Sequence, residues 1–205
     1  MNIDLQKVGK RYNREWIFRK LSCTFESGKH YAIIGPNGSG KSTLLQIIAG
    51  AALHNEGQIL YTHPETRQPV EHPYQHVSIA APYLELIEEM TALEIVHFQS
   101  TFKEFSVPFN VILSTCGLTQ AAHKQIRFFS SGMKQRLKLG LAFYAKSSLL
   151  LLDEPTTNLD QQGIELYTHL MDTCTGGKTV IIGSNDTNEY RTCTERISMS
   201  DYKMA

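Results

Sequence analysis

The sequence predicts an α/β fold with a mainly parallel core sheet. Three observations carry that reading. The runs His30–Ile34, Leu149–Leu152 and Thr179–Gly183 are short and largely apolar, like strands covered on both faces. The first runs directly into a glycine-rich octet, Gly35-Pro36-Asn37-Gly38-Ser39-Gly40-Lys41-Ser42. A helical pattern follows at Thr43–Gly50, with Leu44, Leu45, Ile47 and Ile48 on its buried side. Strand, loop, helix and two further buried strands compose an α/β core.

The remaining elements follow in chain order. Ile3–Val8 and Ile17–Phe25 alternate apolar and polar residues and read as strands. Ser27-Gly28 makes a turn, and Gly50 is a C-terminal stop for the first helix. Gln58–Tyr61 and His76–Ala80 read as two more strands. The polar, proline-containing stretch Thr62–Gln75 between them reads as a loop. From about Tyr83 to Ala145 the pattern turns helical. Within it Thr91–Phe102 has a capping residue, and Lys134–Tyr144 is periodic through Leu137, Leu141 and Ala142. Ile164–Met171 reads as a last helix.

Composition narrows the function. The chain has 205 residues, a length for one domain with an inserted subdomain, and its formal net charge is +0. That balance gives no electrostatic case for a nucleic acid, and none is expected as partner. Residues 1–20 are mixed and polar, unlike a signal peptide. No apolar run approaches the roughly 20 residues that span a bilayer. A soluble, cytoplasmic protein is the expectation. Cys23, Cys116, Cys174 and Cys193 form no CxxC pair and read as free thiols. His72 and His76 flank Pro73, which argues against a helical metal pair.

The octet fits GxxxxGK[ST] completely. Its glycines let the backbone curl so that successive N–H groups face phosphate oxygens, and the following helix aims its positive end at the same anion. Lys41 is the candidate contact to the β and γ phosphates, and Ser42 the candidate Mg²⁺ ligand. Thr43 can offer its hydroxyl to the α phosphate. A glycine turn before an ordinary helix is the bland alternative, and the flanking strand and helix argue against it. Leu149–Leu152 then ends in Asp153-Glu154. Asp153 is the candidate metal acid, and Glu154 the candidate base for an attacking water.

Two further runs carry a family resemblance. Phe129-Ser130-Ser131-Gly132-Met133-Lys134-Gln135-Arg136 resembles the signature of ABC-type ATPases, and Asp153–Asp160 is similar to their Walker B and D-loop run. The resemblance extends from about Val8 to Asp186. It implies a P-loop NTPase fold with an N-terminal antiparallel β subdomain, and a helical subdomain of roughly residues 84–146 inserted in a RecA-like core. It implies ATP and Mg²⁺ as ligands. The octet and Thr43 would bind nucleotide, Tyr12 would stack on adenine, and Ser130 and Gly132 would face a γ phosphate across a dimer. Trp16 is a weaker candidate for the stacking role. The dimer would be a homodimer or a pseudo-dimer with another ATPase subunit. Coupling to an integral membrane permease would place the chain at the inner face of the membrane. An ABC-type ATPase uncoupled from transport, or a slow, degenerate nucleotide-binding subunit, remains the alternative.

The sequence departs from the family's pattern at three places. Phe129, Ser131 and Met133 stand where the family favours Leu, Gly and Gln. No glutamine follows the strand ending at Ala80, where the run is Ala80-Ala81-Pro82-Tyr83-Leu84-Glu85; Glu85 or water is left to take its place. Asn185 stands where the family carries a switch histidine, and an amide can hydrogen-bond a γ phosphate without carrying charge. Asn185 is therefore a catalytic candidate with slow turnover as its expected consequence. Tyr83–Met90, with Glu85, Glu88 and Glu89, is a candidate surface for a basic partner.

Overall fold

A computed structural model describes residues 1–203. They form two compact units. The first comprises Met1–Ile79, Ser148–Glu154 and the segment from Gly177; the second comprises Ala80–Ser147 and Pro155–Gly176.

The first unit contains two sheets. β1 (Asn2–Tyr12), β2 (Glu15–Phe25) and β4 (Glu56–Thr62) form an antiparallel sheet in the order β2-β1-β4. β1 runs past Val8 because a bulge resets its alternation. Lys7 leaves the ladder at φ 52°, its amide donating to Ser22 Oγ at 2.9 Å, and Val8 then turns inward again. The second sheet has the order β5-β6-β7-β3-β8, from Val77–Ala80, Leu149–Asp153, Thr179–Gly183, His30–Ile34 and Glu195–Ser198. β3, β6, β7 and β8 run parallel.

One apolar core joins the two sheets. Ile3, Leu5, Phe18, Leu21 and Phe25 pack with Tyr31, Ile33, Leu149, Leu151 and Ile181. Leu44, Leu45, Ile47 and Ile48 of α1 (Lys41–Ile48) complete it. Each such side chain is worth ~1.5–3 kcal/mol when fully buried. β6 and β7 are buried at every position, as their continuous apolar runs require.

The second unit is helical: α2 (Ala92–Ser100), α3 (Phe109–Thr115), α4 (Ser131–Tyr144) and α5 (Gln161–Cys174). Each of α2, α4 and α5 begins on a side-chain cap. Thr91 and Glu94 form a reciprocal capping box on α2. Ser130 Oγ accepts from the Met133 amide at 3.2 Å, and Asp160 Oδ1 from the Gly163 amide at 2.9 Å. Gly140 lets α3 approach α4 closely, since a Cβ there would strike the Cys116 sulfur.

Two local expectations change. Tyr83–Met90 is irregular rather than helical. Pro82 disfavours helical backbone in Ala81 and lacks the N–H that a helix interior needs, and the Ala81 and Pro82 carbonyls just before the segment are held by Lys138 of α4. The fifth strand of the core sheet, β8, is half-polar and sits at an edge, so no apolar run announces it.

Candidate functional site

β3 delivers the chain to Gly35, and α1 begins at Lys41. Between them Gly35, Gly38 and Gly40 hold φ of 149°, 75° and 101°, which only glycine adopts without strain. Space demands glycine as well. A Cβ on Gly40 would lie 2.7 Å from Ile17 Cγ2, and one on Gly35 2.7 Å from Ser39 Oγ.

Lys41 is 4% exposed and its ammonium is held at the mouth of this loop. Nζ donates to Gly35 O at 2.9 Å, to Pro36 O at 3.4 Å and to Asn185 Oδ1 at 3.3 Å. Glu154 Oε1 lies 3.9 Å away. Asn185 Nδ2 donates in turn to Asn37 Oδ1 at 2.8 Å. The loop, the acid after β6 and the amide after β7 thus converge on one cation. A cavity of about 410 Å³ opens beside it, lined by Ile17, Asn37, Gly38 and Gly40 through Thr43, with Glu154 on its rim.

Asp153 ends β6 and is 1% exposed. Its Oδ1 has no hydrogen-bond partner among the described residues. Burial pushes its carboxyl up to about 6; a hydrogen bond from Ser42 pulls the other way, and the Glu154 charge adds to the rise. A buried, unsatisfied carboxylate oxygen beside a serine hydroxyl is a hard-oxygen donor set of the kind magnesium takes. Glu154, the next residue, holds φ 42°, and its amide donates to Gly183 O at 2.9 Å. That left-handed backbone costs ~1–2 kcal/mol in a non-glycine residue, and the bond to β7 sustains it.

The loop, Lys41, Ser42, Thr43, Asp153, Glu154 and Asn185 all fall in the first unit, and the geometry brings Lys41 together with Asn37, Glu154 and Asn185. Tyr12 does not line the cavity. It lies at the end of β1, 49% exposed, with Lys10 Nζ 4.7 Å from its ring centre. The Arg11 and Arg19 guanidinium carbons lie 5.6 and 4.5 Å from the centre of the Trp16 ring. Motif reading does not find Ile17, because its role is only to face Gly40. It does not find Gly183 either: a Cβ there would meet Leu45 Cδ1 at 2.9 Å and Asp153 Oδ1 at 3.2 Å.

Ser130 and Gly132 lie in the second unit, at the exposed N-terminus of α4. Asn158 O sits 3.1 Å from where a Gly132 Cβ would be, and Gln135 Nε2 donates to Pro155 O at 2.9 Å. The signature and the run after Asp153-Glu154 are therefore packed on one another.

Residues 18–157 match the ABC transporter family model. The chain belongs to that family. This ABC protein is an ATP-binding, ATP-hydrolysing subunit of the transporter type. It is 30% identical over 97% of its length to the linearmycin resistance ATP-binding protein LnrL of Bacillus subtilis, of which it spans 66%. It is 36% identical over 76% of its length to the cytochrome c biogenesis ATP-binding export protein CcmA of Xylella fastidiosa, of which that match spans 70%. Two solved structures share the fold. A putative ABC transporter ATP-binding protein from Pyrococcus furiosus superposes over 100% of both chains with a TM-score of 0.81 at 18% identity. A dimeric ATP-binding cassette in a post-hydrolysis state with ADP and Pi superposes with 0.82 at 24% identity, over 96% of this chain and 93% of that one. No helix among the described residues is long and apolar enough to cross a membrane.

Proposed function

We propose that this ABC subunit binds MgATP in the Gly35–Ser42 loop, closes with a second ATPase subunit around two nucleotides, and powers a membrane permease at the inner face of the membrane. The observation that carries the reading is the convergence on Lys41 of the loop carbonyls, Asn185 and Glu154, directly beside the buried Asp153.

The roles follow from the geometry. The loop amides from Gly38 to Thr43 and the N-terminus of α1 cradle the phosphates. Incoming β and γ phosphates take the Lys41 ammonium from the Gly35 and Pro36 carbonyls, exchanging neutral acceptors for charged ones. Ser42 and Asp153 would hold Mg²⁺, which would supply positive charge against the phosphates. Glu154 orients a water toward the γ phosphorus and takes its proton. The new P–O bond forms as the bond to the bridging oxygen breaks, and ADP and phosphate leave. Asn185 donates or accepts one hydrogen bond at the γ phosphate but lends no charge.

Ser130, Gly132 and the N-terminus of α4 supply a second anion site. In the proposed dimer it faces the nucleotide of the other subunit, and the segment of roughly residues 84–146 acts as the inserted helical subdomain. Tyr12 would move onto adenine when nucleotide enters. The relatives' names support the permease: LnrL is a resistance protein and SrtF of Streptococcus pyogenes, 29% identical over 91% of this chain, is a lantibiotic transport protein. Glu85 and Glu89 favour a basic docking partner, whereas the Glu88 charge is met by Lys134 at 2.6 Å.

Steady-state ATPase of wild type against Glu154→Gln tests hydrolysis. Co-purification with a candidate permease, for wild type and for a Glu85→Lys, Glu89→Lys pair, tests coupling. Equal recovery of both would remove the docking assignment.

A further inference from the structure

Residues 81–90 contain no regular secondary structure, so the shape of this segment rests on whatever grips it. Residues 125–127 hold its far end, donating to the carbonyls of Glu88, Glu89 and Met90, and two side chains of α4 grip its start and Glu88. Lys134 and Lys138 are one turn apart and share a helix face. Lys138 Nζ donates to Pro82 O at 3.0 Å and to Ala81 O at 3.3 Å. Lys134 Nζ meets Glu88 Oε1 at 2.6 Å. Behind them lies a pocket of about 380 Å³, with Glu85, Glu88, Ser131, Lys134, Lys138 and Asn158 among its walls.

The chemistry suits a clamp. An ammonium offers three donors and no acceptor, so one lysine can serve two neighbouring carbonyls. Lys138 is half-buried, and burial lowers its pKa, with the Lys134 charge adding to that effect and Glu85 opposing it. It gives up hydration and side-chain freedom to point at these two oxygens, which an ordinary surface lysine does not do. An exposed ion pair such as Lys134–Glu88 holds little by itself. The stronger point is Lys138. The same helix carries Ser130 and Gly132 at its N-terminus and binds the Pro155 carbonyl through Gln135. α4 is therefore a single rod that touches the 81–88 segment, the signature and the run from Pro155 to Asn158.

We propose that Lys138 is a positioning residue: with Lys134 it locks the Ala81–Glu88 segment to α4, so that a partner docking on the segment moves the Ser130–Gly132 end of α4 with it. The inference rests on the reading given above, in which that segment meets the permease and the end of α4 completes an ATP site. It adds the residue that joins the two.

The test uses the full chain and the variants Lys138→Met, Lys138→Arg and Lys146→Met. The last breaks a surface ion pair to Glu104 and serves as a control. Amide hydrogen exchange of residues 83–90 without nucleotide reads the clamp, and steady-state ATPase reads its consequence. Lys138→Met is expected to speed exchange in the segment and lower kcat, each by about tenfold. KM for ATP stays within about twofold, because Lys138 touches no part of the phosphate loop. Lys138→Arg recovers most of both, and Lys146→Met behaves as wild type. Unchanged exchange in Lys138→Met overturns the proposal whatever the rates. So does a fall in kcat that Lys138→Arg fails to rescue, which is the pattern of a general loss of folded, active chain. Hydrolysis by wild type and its loss in Glu154→Gln, measured alongside, decide the underlying reading independently.

Discussion

Replacing Asp153 by asparagine should stabilise the nucleotide-free chain at neutral pH while destroying its nucleotide chemistry. Asp153 is 1% exposed, one carboxylate oxygen has no partner among the described residues, and burial raises its pKa from 3.8 to about 6. A gap of about two pH units is worth ~3 kcal/mol. The sign is that of a raised acid. Below about pH 4 both folded and unfolded chains hold the proton and nothing is lost. As pH rises from about 4 to 6, the unfolded chain releases its proton first, and stability falls. Above about pH 6 the full penalty is in place. The amide of Asp153→Asn carries no charge to desolvate, so the variant should lack this decline. Relaxation around the site trims the gain to ~2 kcal/mol, or roughly 4–8 °C for a domain of this size. Thermal melts of wild type and Asp153→Asn at about pH 5 and about pH 7.5, on either side of the raised value, measure it without nucleotide or metal. The difference between the two proteins should favour the variant at both pH values and be roughly half as large at the lower one as at the higher one. Adding MgATP should raise the melting temperature of wild type much more than that of the variant. A variant equally destabilised at both pH values would mean that Asp153 contributes a native bond rather than a buried, poorly solvated charge.

Other expectations follow from single contacts. Gly183→Ala places a methyl 2.9 Å from Leu45 and 3.2 Å from Asp153; urea unfolding should show a loss of ~1–3 kcal/mol. Leu44→Ala empties a fully buried position in the core of the first unit, and the same assay should show a loss of ~3 kcal/mol. Asn185→His exchanges an amide that accepts from Lys41 and donates to Asn37 for a ring that can carry charge; steady-state ATPase turnover should rise, and an unchanged rate would mean that Asn185 does not limit hydrolysis.

The phosphate loop is legible in the sequence because its chemistry needs fixed residue types in one contiguous octet. Asp153-Glu154 is legible because a wholly buried strand ends on two acids. Other features depend on residues far apart in the chain. The Asn37–Asn185 bond spans 148 positions, and the need for glycine at 183 is set by Leu45 and Asp153. Alternation alone makes β1 too short, because the Lys7 bulge interrupts it. The apolar residues of Tyr83–Met90 suggest a helix; the proline before them and the carbonyl contacts from Lys138 override that pattern. Tyr12 follows from resemblance, and its place beside Lys10 rather than in the cavity is set by the end of β1, which no motif describes.

The proposed cycle turns on this chain closing with a second copy of itself around MgATP. Sedimentation of the Glu154→Gln chain with and without MgATP tests it most directly. A dimer with one ATP per chain is expected when MgATP is present, and a monomer without it. A chain that saturates with ATP and still sediments as a monomer would contradict it.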